Sequence, residues 1–276
     1  MPVDATRATP PTTLATSQEI RDRGSTFVGY VYRARTADDA RAALRHHQHQ
    51  RQHQHQHQRQ HQPKDGSDPE SYAMAAWRCM VVKPGHTGLG GPEEFVVEEG
   101  CEDGGERWAG GRVLGVMKRE GAIDAVVVVC RWCVPCPLGA LTRDSLGSRT
   151  HGTLVRFGGT LLGPVRFTHI ETCAGEVCRR FKKMEEMDEC VRTLTTLDDL
   201  LATLRAELAA EREKASMQDS GSCSGVAENS RAKGKAPDYR AMQDGLDLTK
   251  AKRLIHAREC AIKATKTLIE KYKTPT

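Results

Sequence analysis

A valine-rich segment places the strongest constraint on how this chain can fold. Residues 126–132 read VVVVCRW, and a short apolar run of this kind is typical of a central strand covered on both faces. A segment that would naturally follow such a strand, FGGTLLGPVRFTHI, begins only at Phe157. It contains a Gly-Gly pair suited to a tight turn, and its Pro164 is suited to the first turn of a helix. The two segments together predict a buried strand, a turn and a helix, interrupted by residues 133–156.

The interrupting residues 133–156 fit neither a strand nor a helix, and we interpret them as a retained intron. Trp132 is encoded by TGG and the codon of Cys133 begins with TG, so an intron can begin with GT at the third base of the tryptophan codon. If Arg156 is encoded by AGG, the intron ends in AG and the last G restores the tryptophan codon. Whether residues 133–156 are present in the mature protein is therefore open.

Further strands and helices are predicted on both sides of the interruption. Segments rich in β-branched and aromatic residues predict strands, at residues 26–34, 72–82, 94–99 and 123–132. A helix is predicted after Thr36, since one face would be formed by Ala40, Ala43, Leu44 and His47. A second helix is predicted over residues 108–120, because Gly121 is suited to end it.

Three segments contain too few apolar residues to join a core. They are residues 1–23, a low-complexity His/Gln tract at 46–69 and a Ser/Gly/Lys-rich stretch at 215–237. Such segments bury too little apolar surface to offset the entropy lost on ordering. We expect residues 1–23 and the His/Gln tract to be disordered and residues 215–237 to be a linker.

The C-terminal part carries two apolar stripes with coiled-coil spacing. Residues 184–214 predict an amphipathic helix, with apolar positions at Val191, Leu194, Leu197, Leu201, Leu204 and Leu208. Residues 238–276 predict a basic helix, with a heptad repeat at Leu248, Ile255, Ile262 and Ile269. Two stripes joined by a linker favour a helical hairpin, and the alternative is a helix that needs a partner chain.

Charge, hydropathy and cysteine content limit the class of protein. The formal net charge is +5, and eight Lys or Arg against three acids in residues 246–273 account for the surplus. The longest apolar run, residues 122–130, is much shorter than the ~20 residues that span a bilayer. The N-terminus has no apolar signal region, so the ten cysteines are expected to be reduced thiols. We expect a soluble, cytoplasmic protein.

Several residue patterns resemble reactive sites without selecting one chemistry. Cys130, Cys133 and Cys136 have the spacing of metal ligands, but a cysteine within a buried strand behaves as a small hydrophobic residue. His169 and Asp103 could be combined on paper with Cys79, Cys101 or Cys130 as a nucleophile, although no spacing selects this combination. We expect no catalytic residue, no metal and no cofactor.

Without the interruption, the joined motif resembles that of the Impact (YigZ-like) family in its fungal-type form. MAAWR at residues 74–78 and DGGERWAGGRVL at 103–114 add to the resemblance, which covers residues 24–45, 70–132 and 157–183. It implies an α/β (α+β) domain over residues 24–183, a two-layer sandwich of a mixed sheet with helices on one face. The C-terminal helical hairpin would be added to this domain.

The family motifs and the strand ends indicate a candidate binding site. Its members are Trp77, Arg78, Asp103, Glu106, Arg131, Trp132, Gly158 and Gly159. Charged groups and backbone amides at strand ends can converge on a ligand. The alternative is that the glycines only permit tight turns and close packing.

The resemblance implies a cytosolic regulator of translation that acts by binding proteins under stress such as amino-acid starvation. Its partner would be a translation-machinery or ribosome-associated protein, and no membrane is involved. One alternative is an RNA- or ribosome-binding module whose basic C-terminal helix contacts phosphates. A second alternative is a small-molecule hydrolase that uses a glycine-lined cleft.

Overall fold

A computed structural model describes residues 10–59, 70–133, 162–219 and 238–274. The strands are β1 Thr13–Thr16, β2 Ile20–Asp22, β3 Ser25–Arg33, β4 Glu70–Val82, β5 Phe95–Glu102 and β6 Ala125–Cys133. The helices are α1 Ala37–Arg59, α2 Ala109–Glu120, α3 Val165–Asp219, α4 Arg240–Asp244 and α5 Leu248–Lys273. The chain forms two compact units, Met1–Phe181 and Lys182–Thr276, and α3 contributes to both.

The valine-rich strand β6 lies in the centre of the sheet, as its sequence predicts. The strand order is β1-β3-β6-β4-β5, and β2 pairs with β3. Val127 and Val129 point into one apolar cluster, while Val126 and Val128 point into another on the opposite face. Alternate residues of a strand face opposite sides, so an unbroken run of valines is needed where both sides are covered.

The predicted α/β class is confirmed, with two differences of detail. Every strand pair in the described sheet is antiparallel, so the sheet is not mixed. Helices α2 and α3 cover one face, and α1 covers the other, so helices lie on both faces instead of one. The apolar face predicted for α1 explains the second difference, because Ala40 and Leu44 are buried against β6 and β4.

Two segments predicted to be disordered contain regular structure. The expected disordered terminus contains β1 (Thr13–Thr16) and β2 (Ile20–Asp22), which both pair with β3. The His/Gln tract continues α1 as far as Arg59, so the expectation of disorder is wrong for residues 46–59. Gln and Arg are good helix formers, and a helix already started by a buried apolar face extends at low cost.

The second unit contains two long helices that pack together, but they do not form a hairpin. In one apolar cluster Leu194 lies with Ile255, and in the next Leu201 and Leu208 lie with Ile262 and Ile269. The ion pairs follow the same order along both helices, since Glu186 pairs with Lys252 and Glu207, farther along α3, pairs with Lys273, farther along α5. The helices therefore run parallel, whereas a helical hairpin is antiparallel. Residues 220–237, which connect them, lie outside the described part of the chain.

Candidate functional site

The register of the sheet brings together several polar residues at one end of the first unit. Arg131 on β6 lies opposite Phe27 on β3 and opposite Tyr72 on β4. The Arg131 guanidinium lies 5.7 Å from the Phe27 ring centroid and 5.9 Å from that of Tyr72. The N-terminal ends of α2 and α3 lie against the same end of the sheet, through Glu106 and Arg166. The first unit therefore gathers its charged groups where β3 and β4 begin and β6 ends.

Asp103 builds the turn that leads into α2. Its carboxylate accepts hydrogen bonds from the backbone N–H groups of Trp108 and Gly110, both at 2.9 Å. A carboxylate at this position satisfies amide groups that the helix leaves open and interacts favourably with the helix dipole. Gly104 has a φ of +56°, and a Cβ there would lie 1.9 Å from the carbonyl oxygen of Ala73. Asp103 and Gly104 thus have structural roles that direct Glu106 inward.

Glu106 joins two arginines that come from distant parts of the sequence. Its Oε2 accepts from Nη1 of Arg131 and its Oε1 from Nε of Arg166, each at 2.6 Å. Arg131 also donates to the hydroxyl of Ser25 at 3.2 Å. We call Ser25, Glu106, Arg131 and Arg166 the Glu106 cluster. Glu106 and Arg131 are buried, whereas Arg166 is partly exposed, so an anionic ligand could reach the cluster only through Arg166.

A second polar pair lies on the same face. Nε2 of His169 lies 2.9 Å from Oδ2 of Asp22, and the imidazole lies 5.2 Å from the ring centroid of Phe27. Both side chains are partly exposed. An imidazole held by a carboxylate can exchange protons with a bound molecule. The pair and the Glu106 cluster together place charged and polar side chains on one face of the sheet.

The structure divides the sequence-predicted site residues into three groups. Glu106 and Arg131 belong to the Glu106 cluster, and Asp103 supports it. Trp77 is buried beneath Gly100 and lies under the Arg41 guanidinium, while Arg78 pairs with Glu99. Trp132 is half-buried beside the cluster that α1 covers. Gly158 and Gly159 lie outside the described residues, as do residues 134–156 of the interruption.

Sequence reasoning missed Arg166, Ser25 and Asp22. Arg166 lies two residues after the predicted helix start at Pro164, and a basic residue at the N-terminus of a helix is unfavourable for the helix dipole. The unfavourable charge of Arg166 at this position could have indicated that its guanidinium has a buried acidic partner. Ser25 and Asp22 carry no such signal, because only the pairing of β2 and β3 with the rest of the sheet gives them neighbours.

The cysteines weighed as ligands or nucleophiles lie in different surroundings. Cys130 and Cys133 point to opposite faces of β6, and the Sγ of Cys130 lies 3.2 Å from Nε2 of His47. Nδ1 of that imidazole is 2.6 Å from the Tyr32 hydroxyl. The structure thus joins Cys130 to His47 and not to His169 or Asp103, so the trio assembled on paper does not form. Cys136 lies outside the described chain.

Thiol reactivity differs among the remaining cysteines. Burial raises the pKa of the Cys79 thiol to about 11 and that of Cys178 to about 12. The thiolate is the nucleophilic form, so these two thiols are poorly suited to nucleophilic catalysis near neutral pH. Cys101 is exposed. Among the residues with described placement, no group of three or more His, Cys, Asp or Glu side chains could hold a metal ion.

Comparison with known proteins finds a family match in the part of the chain that contains the Glu106 cluster. Residues 23–143 match the model of the Impact N-terminal domain. This region is an Impact N-terminal domain. The match begins just before β3 and includes β4, β5, α2 and β6, and therefore includes Glu106 and Arg131.

Proteins similar to this chain come from a fungus and from vertebrates. An IMPACT family member of Saccharomyces cerevisiae is 33% identical over 84 residues, which cover 30% of this chain and 35% of that protein. Protein IMPACT of Bos taurus is 38% identical over 77 residues, covering 28% and 17%, and that of Homo sapiens is 36% identical over 77 residues, covering 28% and 17%. The chain thus matches about a third of the yeast relative's length and about a sixth of these vertebrate ones.

Within the described ranges, no helix is long and apolar enough to cross a membrane.

Proposed function

We propose that this protein belongs to the Impact family and regulates translation by binding a protein of the translation machinery in the cytoplasm. The observation that carries the proposal is the Impact N-terminal domain at residues 23–143, because the family resemblance implies this function. The buried Glu106 cluster supports a binding role, since its ion pairs join the turn before α2 and the start of α3 to the sheet and so position the two helices beside each other.

The second unit supplies a surface that could strengthen such binding. Helix α5 buries Ala251, Ile262, Thr265 and Ile269. Lys250, Arg253 and Lys263 are exposed on its outer side. Exposed charges of one sign mainly accelerate association with a partner of opposite charge, and salt screens the effect.

Affinity capture from cytosolic extract, with and without RNase, tests the proposal. We expect the full chain to capture translation factors or ribosome-associated proteins in both arms. If the captured set contains no such protein, the regulator function is wrong. Substitution of Lys250, Arg253 and Lys263 by Glu should reduce capture and its salt dependence together, because the apolar seam of α5 stays intact. Substitution of Lys250 and Lys263 by Arg keeps the charge and serves as the control.

The basic outer side of α5 also favours a second candidate, an RNA- or ribosome-binding module. Neutralising phosphates releases counterions, so affinity for RNA falls steeply with salt. Capture that disappears with RNase, together with direct binding of the full chain to single-stranded RNA, would favour this candidate. Capture that survives RNase would favour the protein partner.

A further inference from the structure

Trp108 is an exposed aromatic residue at the start of α2. Its relative exposure is 63%, whereas Trp77 is buried and Trp132 is half-buried. The backbone φ of 67° is unusual for a bulky residue, and the Asp103 carboxylate holds this conformation by accepting from the Trp108 N–H. The guanidinium of Arg107 lies 4.6 Å from the indole ring centroid. The turn thus directs a large apolar surface, capped by a cation, into solvent.

A second aromatic residue flanked by arginines comes from the start of α3. The Phe167 ring lies 4.2 Å from the Arg166 guanidinium and 5.4 Å from that of Arg112. We call Arg107, Trp108, Arg112, Arg166 and Phe167 the Trp108 patch. Trp and Arg are enriched among the residues that contribute most to protein interfaces.

The charge of the Trp108 patch and its surroundings is predominantly positive. The carboxylate of Glu171 is shared by Arg112 and Arg119, and that of Glu106 is shared by Arg131 and Arg166. Arg107 makes no ion pair with any residue in the described ranges. Together with the Asp103 carboxylate at the same turn, three carboxylates therefore balance only part of the charge of five guanidinium groups. A partner that covers this surface favourably must be acidic.

The exposed side of α2 next to Trp108 is unusually open. Gly111 and Gly115 lie on it, and a Cβ added at either residue would have nothing within 4 Å. Gly110, by contrast, is required for packing within the first unit, because a Cβ there would lie 2.7 Å from the carbonyl oxygen of Glu102. Glycine inside a helix is unfavourable relative to alanine. No described contact explains Gly111 and Gly115, whereas close approach by a partner's backbone would.

We infer that the Trp108 patch and the adjoining glycine face of α2 bind an acidic α-helix of a partner protein. Trp108 would pack on the apolar side of the partner helix. The backbone of the partner helix would approach Gly111 and Gly115, and the carboxylates of the partner helix would pair with Arg107 and Arg112. An RNA strand could also stack on Trp108, but stacking needs no bare helix backbone beside the indole. The glycines therefore favour the helix. This inference rests on the proposed function and specifies the partner's chemistry.

The test uses the full chain and a synthetic helical peptide of Glu, Ala and Leu, about 20 residues long so that it forms a helix. Acrylamide quenching of tryptophan emission reports the exposure of Trp108, since the other two tryptophans are buried or half-buried. We expect the peptide to reduce the quenching and added salt to restore it. A peptide with Lys in place of Glu should have no effect. Equal protection by both peptides, or by neither, would overturn the inference.

Variants locate the binding surface. Binding to the variants is measured through the fluorescence anisotropy of a dye-labelled peptide, because Trp108→Ala lacks the reporting indole. Trp108→Ala should weaken peptide binding by about 30-fold, the loss that follows truncation of a dominant interface residue. Gly111→Leu should abolish binding while the protein stays folded, because a Cβ added at this position has no heavy atom within 4 Å. Leu89→Ala and Arg205→Ala remove an exposed apolar and an exposed basic side chain elsewhere and should change nothing. If Trp108→Ala and Gly111→Leu bind like the wild type, the surface is wrongly assigned.

Further outcomes separate this inference from the proposed function. If wild type and Trp108→Ala capture the same translation proteins from extract in equal amounts, the inference fails and the proposed function stands. If the acidic peptide protects Trp108 but the wild type captures no translation protein, the proposed function fails and the surface stands. If a uridine oligonucleotide protects Trp108 more strongly than the acidic peptide does, RNA replaces the helix as the ligand and the inference fails.

Discussion

Glu106→Gln should destabilise the first unit by about 3 kcal/mol, because breaking a buried ion pair leaves an uncompensated charge and costs roughly 3–5 kcal/mol. The Glu106 side chain is 10% exposed and that of Arg131 is 8% exposed, so water cannot replace the lost carboxylate. Arg166 is 24% exposed and recovers part of its hydration. The glutamine carbonyl keeps one acceptor, so the lower end of the range applies.

Glu171→Gln provides a matched control within the same unit. Glu171 also joins two arginines, Arg112 and Arg119, but their side chains are 57% and 66% exposed. Exposed pairs contribute about 0–1 kcal/mol. The two variants therefore remove the same chemical group from the same kind of arrangement and differ mainly in burial.

Urea unfolding, followed by tryptophan fluorescence and far-UV circular dichroism, measures the loss of unfolding free energy in Glu106→Gln and in Glu171→Gln. Replacing the buried pair together, as Glu106→Leu with Arg131→Met, should recover most of the stability lost in Glu106→Gln, because apolar side chains of similar size need no charged partner. If Glu106→Gln and Glu171→Gln cost the same small amount, the Glu106 cluster is solvated and the buried-charge reasoning is wrong.

Three further outcomes are expected. Burial raises the pKa of Cys178 from 9.0 to about 12 in the folded state. The free energy of unfolding should therefore fall between those pH values by up to about 1.4 kcal/mol per pH unit. Urea midpoints measured at rising pH should show a smaller fall in Cys178→Ala than in the wild type. Gly115→Ala should raise the free energy of unfolding by about 0.5–1 kcal/mol, whereas Gly104→Ala should lower it, as thermal unfolding will show. The dominant mRNA should lack the codons for residues 133–156, and the protein without them should be more stable by up to roughly 3 kcal/mol of loop-closure entropy; a dominant transcript that keeps those codons would contradict the intron interpretation.

Much of the first unit could be predicted from local pattern. The valine run specified a strand covered on both faces, and β3, β4, β5 and α2 lie within a few residues of their predicted positions. The predicted face of α1 was also right, including His47, which is buried at the start of a polar tract. These features could be predicted because the spacing of apolar residues records which side of an element is buried.

The partners of the site residues could not be predicted in the same way. Glu106 and Arg131 were identified from their positions at a loop and a strand end, but Arg166 joins them only because α3 begins next to the Glu106 side chain. Trp77 and Arg78 belong to a different family motif and lie five and six residues beyond Tyr72 along β4, away from Arg131. Sequence motifs group residues that are neighbours in the chain, whereas a site depends on strand register and helix placement.

The second unit shows most clearly which features depend on local sequence and which depend on tertiary structure. The sequence by itself determined that two helices carry apolar seams with heptad spacing and that α5 presents a basic outer side. Only the tertiary structure decided that the helices run parallel, with Leu194 beside Ile255 and Leu208 beside Ile269. A heptad repeat specifies the buried face of a helix but has the same spacing in parallel and antiparallel pairs. The direction depends on which side chains meet along the whole seam, including the ion pairs of Glu186 with Lys252 and Glu207 with Lys273.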